Sequence, residues 1–183
     1  MLEKYLIEHC APTLASIKTA SLFCLPLIAE RELEHQIQLW NGCFAEKGLF
    51  LTVLSRKGGR ALVYVCRRAH LERDLQKRGV ASFLAQYGYP CVELDAALAR
   101  LKQRLGEQDG FPHEIGIFLG YPLGDVIGFI QNEGRNCKCA GCWKVYCDAH
   151  EAGKIFARYR KCREIYARLW RGGKSIVQLT VAA

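Results

Sequence analysis

The sequence predicts an α/β (α+β) fold, a mixed sheet of about five strands with helices packed on it. Three observations lead there. Two β-rich runs flank a Gly-Gly turn, several segments carry apolar residues at helical spacing, and strand-like and helix-like segments follow each other in mixed order.

The elements follow in chain order. Glu30 to Lys47 carries Leu33, Ile37, Trp40 and Phe44 on one stripe, which predicts a helix. Leu49 to Ser55 and Arg60 to Cys66 are rich in β-branched and aromatic residues. Arg56-Lys-Gly-Gly59 between them predicts an antiparallel hairpin. Leu94, Leu98, Leu101 and Leu105 mark a second helix that Gly106 ends. Glu114 to Leu119 is a short apolar run expected as a strand. Gly120-Tyr121-Pro122 then opens a helix through Ile130, with proline placed where its missing N–H costs nothing. Trp143 to Cys147 is expected as a short strand. Asp148 should cap a long helix with Glu151 as its capping partner. The stripe of that helix is Ile155, Tyr159, Cys162, Tyr166 and Leu169, and Gly172-Gly173 stops it. Ser175 to Val181 is expected as a last strand.

Length and composition fit this picture. The 183 residues suit one domain spanning 1–183, long enough to bury its own core, and 50% hydrophobic against 24% charged residues is a globular balance. The most apolar N-terminal stretch, Cys10 to Ala29, contains Pro12, Lys18 and Pro26 and falls short of a membrane helix. Glu3 and Glu8 stand where a signal peptide would be basic, so a cytoplasmic protein is expected. In a reducing compartment the ten cysteines are free thiols rather than a disulfide framework, and a singly placed one acts as a small buried hydrophobe. The net charge of +8 sits in a basic, Cys-rich segment. Residues 134–174 hold eleven Lys/Arg against three Asp/Glu, and the rest of the chain is balanced.

Three groups of residues carry chemistry. The first is Cys137-Lys-Cys139-Ala-Gly-Cys142, with Cys147 beyond it. Thiolates at this spacing are able to hold Zn²⁺ or an iron–sulfur cluster, and Arg135, Lys138 and Lys144 supply positive neighbours. Unliganded thiols are the alternative. The second is His9-Cys10, a thiol beside an imidazole, with Cys10 as nucleophile and His9 or His113 as base. Against it stands a buried cysteine next to a helix-end histidine. The third is the basic helix, where Lys154, Arg158, Arg160, Lys161, Arg163, Arg168, Arg171 and Lys174 offer an electrostatic footprint for anions. Its alternative is a solvated face. Arg158 and Lys161 with the Gly120-Tyr121 turn are the anion-binding candidates.

Three segments, His9 to Lys18, Phe111 to Ile130 and Asn136 to Tyr146, resemble the bacterial domain-of-unknown-function family 3793, and the resemblance covers nearly the whole chain. It implies a protein of anaerobic bacteria, in keeping with a reducing cytosol, and carries no established activity. The family pattern has Gly where this chain has Cys147, so the resemblance leaves Cys137, Cys139 and Cys142 as the shared set. The expectation is then a metal- or redox-linked protein holding Zn²⁺ or Fe–S through these cysteines. Its basic helix would meet an acidic redox partner or a phosphate-bearing ligand. A thiol enzyme using Cys10 and a nucleic-acid-binding module are the other two expectations.

Overall fold

The computed structural model describes residues 2–26, 30–107 and 110–182. Positions 27–29, the end of the apolar N-terminal stretch, lie outside the described residues. The elements in order are α1 (Leu2–Leu14), β1 (Ala20–Pro26), α2 (Glu30–Phe44) with a 3₁₀ turn at Ala45–Lys47, β2 (Leu49–Lys57), β3 (Arg60–Arg67) and α3 (Arg68–Leu75). They continue with α4 (Val80–Ala85), α5 (Leu94–Gly106), α6 (Ile115–Phe118), α7 (Leu123–Gln131), β4 (Cys139–Ala140), β5 (Lys144–Val145), α8 (Ala149–Arg171) and α9 (Ile176–Leu179).

The fold is α+β, and the expected single mixed sheet is corrected. Among the described residues the main sheet has three strands in the order β1-β3-β2, antiparallel throughout, and β4 and β5 form a separate two-stranded ribbon. The β2–β3 hairpin forms where the Gly-Gly signal placed it. Gly58 and Gly59 both take positive φ (58° and 68°), the two-residue turn whose twist matches the strands it joins.

The central strand β3 shows why the sheet is two-sided. Ala61, Val63 and Val65 face a core built with α1, α2, α8 and α9, whereas Leu62, Tyr64 and Cys66 face a second core built with α3 to α7. Alternation with a period of two sends successive side chains to opposite faces, and here both faces are apolar. The outer strand β2 is met by a side chain rather than by another strand. Asn41 of α2 donates to the Leu51 carbonyl (2.9 Å) and accepts from the Leu51 N–H (2.7 Å). That blunts an edge which would otherwise template pairing.

Arg67, at the end of β3, is 1% exposed. Its guanidinium donates to the carbonyls of Thr13 (2.8 Å), Leu14 (2.5 Å) and Lys47 (2.6 Å), fastening the end of α1 and the 3₁₀ turn to the sheet. A buried charge is tolerated because each of these donors finds an acceptor.

Two expected strands are helices. Glu114 to Leu119 forms α6, buried on every side, because a short apolar run carries no periodicity to separate strand from helix. Ser175 to Val181 contains α9, whose start is a full capping box: the Ser175 side chain accepts from the Gln178 N–H and the Gln178 side chain from the Ser175 N–H. The Asp148 cap of α8 is as expected, its carboxylate accepting from the Glu151 N–H at 3.0 Å. Among the described residues no helix is long and apolar enough to cross a membrane.

Candidate functional site

The site begins at the end of α1. Past Leu14 the chain turns through Ser16 (φ 57°), and the N–H groups of Ile17 and Lys18 both donate to the Pro12 carbonyl. This tight turn sets Lys18 beside the start of β1. Thr19 follows, and its hydroxyl donates to the Asp74 carboxylate at 2.5 Å. The Gly120 turn passes directly against Thr19. A Cβ at Gly120 would lie 2.6 Å from the Thr19 Oγ1, and φ is +76°, so glycine is required there on two counts.

That approach delivers Tyr121. Its ring stacks on Trp143 (5.0 Å between centroids), Lys18 Nζ lies 5.6 Å from its centroid, and its hydroxyl donates to the Cys142 carbonyl at 3.1 Å. Cys142 sits in the turn of the β4–β5 ribbon, which Gly141 closes by donating to the Trp143 carbonyl. The ribbon is anchored through Asp125 of α7, 3% exposed. One carboxylate oxygen accepts from Trp143 Nε1 and the other from the N–H groups of Tyr146 and Cys147, each at 2.8 Å. From α8, Arg163 reaches the ribbon and its Nη2 donates to Cys142 Sγ at 3.6 Å.

These segments line an open polar cavity of about 540 Å³ bounded by Glu8, His9, Lys18, Ser21, Leu22, Leu119, Tyr121, Cys142 and Arg163. Its electrostatics centre on Lys18. Burial pulls the ammonium down from its usual 10.5 to about 8; the Cys142 and Cys10 sulfurs pull it back up and Arg163 pushes it further down. A lysine drawn down to about 8 beside a thiol and a guanidinium stays mostly charged at neutral pH, so it attracts an anion, yet its neutral fraction is large enough to exchange a proton.

The residues singled out from sequence are distributed as follows. His9 lines the cavity, its ring stacked on Phe23 (5.6 Å) and near Tyr5 (5.8 Å). Cys10 turns the other way into the core, fully buried, its thiol pushed up to about 12 by that burial. Successive residues on a helix diverge by about 100°, which separates the pair. Tyr121 lines the cavity, and Gly120 makes the turn that brings it there. Arg158 and Lys161 are exposed on α8, which contributes Arg163 to the cavity lining instead.

The four clustered thiols do not converge. Cys137, just ahead of the ribbon, and Cys139, in β4, are half-buried, and Cys142 faces the cavity. Cys147 lies against α7, close enough that a Cβ at Gly124 would come within 2.5 Å of its sulfur. Its thiol is held above the usual value by burial and by the Asp125 charge. Among the described residues no group of three or more His, Cys, Asp or Glu side chains is gathered to hold a metal ion.

A family model described as a protein of unknown function, DUF3793, matches residues 6–180. The chain belongs to the DUF3793 family. The matched span runs from α1 through α9 and contains every residue that lines the cavity. No curated protein and no solved structure matches the chain.

Sequence reasoning did not single out Lys18 or Asp125. Lys18 ends the His9 to Lys18 segment and Asp125 lies inside an apolar run. A lone charge in an apolar segment was the one signal available for either.

Proposed function

We propose that this chain is a thiol-dependent protein that binds a small anionic molecule, a carboxylate or a phosphate, and presents it to Cys142. The observation that carries the reading is the contact of the Arg163 guanidinium with Cys142 Sγ inside the cavity that also holds Lys18. The roles follow from chemistry. The Cys142 thiolate is the nucleophile; Lys18, drawn down to about 8, accepts the thiol proton in the fraction of molecules whose amine is neutral, and the ammonium so formed attracts the anion together with Arg163. Tyr121 fixes the turn through the Cys142 carbonyl. The nucleophile role passes from Cys10 to Cys142 because a fully buried thiol pushed up to about 12 stays protonated.

Two coarser proposals accompany it. All ten cysteines are free thiols, which supports a reducing, cytoplasmic setting. The convergence of Lys18 and Arg163 on one cavity supports a single folding unit over 1–183.

Competitive labelling tests the reading. Iodoacetate carries a carboxylate and iodoacetamide does not, so their rate ratio at each cysteine reports local selection for anions. Cys24, Cys43 and Cys91 are exposed and serve as internal references. The iodoacetate-to-iodoacetamide ratio at Cys142 is expected to exceed theirs by about tenfold, the effect of roughly 1.4 kcal/mol of charge attraction. Arg163→Gln should bring it down to the reference value. A Cys142 ratio equal to that of the exposed thiols in the unaltered protein refutes the proposal.

A further inference from the structure

A second cavity, lined by Ala140, Gly141, Trp143 and Lys144 of the ribbon, has a different character. It measures about 370 Å³, within the size range of small-molecule sites, roughly 300–1,000 Å³. Its walls include the rings of Phe111, His113, Tyr121, Phe129 and Trp143. The rings meet in pairs, Tyr121 on Trp143 at 5.0 Å and His113 on Phe129 at 4.9 Å, and Phe111 at one wall is 50% exposed, an apolar ring left open to water.

The walls are also fixed. Two glycines line the cavity where a side chain has no room: a Cβ at Gly116 would meet Val126 Cγ2 at 2.7 Å, and one at Gly141 would meet the Phe156 ring at 2.3 Å. The two lining residues of opposite charge are already engaged by the protein. Asp125 accepts from Trp143, Tyr146 and Cys147, and Lys144 Nζ donates to the Gly134 carbonyl at 2.6 Å. An occupant is therefore recognised by ring faces rather than by charge.

We infer that this cavity is a binding site for a flat, uncharged aromatic ring system. The inference goes beyond the thiol reading and does not depend on it, although Leu119 and Tyr121 line both cavities.

Calorimetric titration of the full chain with three probes tests it. They are 1-naphthol, its saturated counterpart decahydro-1-naphthol, and 1-naphthoate. Naphthol is expected to bind about tenfold more tightly than either of the others, since ring stacking and the lack of spare charge both favour it. Ala140 is an exposed lining residue on β4, and Ala140→Trp fills the opening without disturbing the core. That variant should weaken naphthol by about tenfold or more. Arg163→Gln should leave naphthol binding unchanged, which keeps this site distinct from the thiol cavity. The inference is overturned if naphthol does not bind, if it binds no more tightly than decahydro-1-naphthol, or if Ala140→Trp leaves its affinity unmoved.

Discussion

Replacing Lys18 with methionine should make the protein more stable at neutral pH, and the gain should shrink as pH rises. The ammonium of Lys18 is partly buried against Tyr121, and burial draws it from 10.5 to about 8. Below pH 8 both folded and unfolded chains carry the proton, so the whole cost of burying the charge falls on the folded state. Between pH 8 and 10.5 the unfolded chain binds more protons than the folded one, so wild-type stability from this group rises with pH. At roughly 1.4 kcal/mol per pH unit the full interval is worth about 3 kcal/mol, a ceiling that solvent reaching the side chain lowers. About 1 kcal/mol of it should appear between pH 7 and pH 9.

The assay is urea unfolding of both proteins at pH 7, 8 and 9, followed by circular dichroism. Cys10 and Cys66, both pushed up to about 12 by burial, act in the opposite sense above pH 9, losing stability as pH rises. They are present in both proteins and largely cancel in the difference. Lys18→Met is expected to be the more stable protein by up to about 3 kcal/mol at pH 7, with an advantage about 1 kcal/mol smaller at pH 9. A difference that stays constant across this range, or a variant less stable at pH 7, would refute the argument that Lys18 is held in the site against its own solvation.

Two other substitutions probe what assembles the site. Arg67→Met removes the donors to three carbonyls at the end of α1 and in the 3₁₀ turn, and the buried acceptors it strands should cost about 3 kcal/mol or more in urea unfolding; a loss under about 1 kcal/mol would show that water replaces the guanidinium. Gly120→Ala combines positive φ with a 2.6 Å clash on Thr19 and should destabilise by about 2–4 kcal/mol, and it should also displace Tyr121 and slow iodoacetate labelling of Cys142. Full stability with unchanged labelling would mean that the turn tolerates a side chain.

Local structure was legible wherever one short segment carried its own instructions. Gly58-Gly59 specified the β2–β3 hairpin, the four-leucine stripe specified α5, and Asp148 with Gly172 bounded α8. Even where the reading failed, a local signal sometimes existed. Ser175 and Gln178 form a capping box that marks α9 as a helix. At Glu114 to Leu119 no local signal decides, because a segment buried on all sides has no polar face to reveal its period. The strand β1 carries no local signal either: it is apolar on both faces, with Leu22 and Phe23 directed at different cores, and even its exposed positions are Cys24 and Pro26 rather than charged residues.

By itself the sequence determined the α+β class, the hairpin, the basic helix and the family. Only the tertiary structure decided which of its chemical groups share a site. Lys18, Tyr121, Cys142 and Arg163 are far apart in the chain, and their meeting depends on packing: glycine at 120 against Thr19, Asp125 holding the ribbon, and α8 lying across α1. The same packing sent Cys10 into the core and turned Cys147 toward α7. Neighbours in sequence project at angles set by the backbone, whereas partners in a site are set by which faces are buried together, and no local pattern records that.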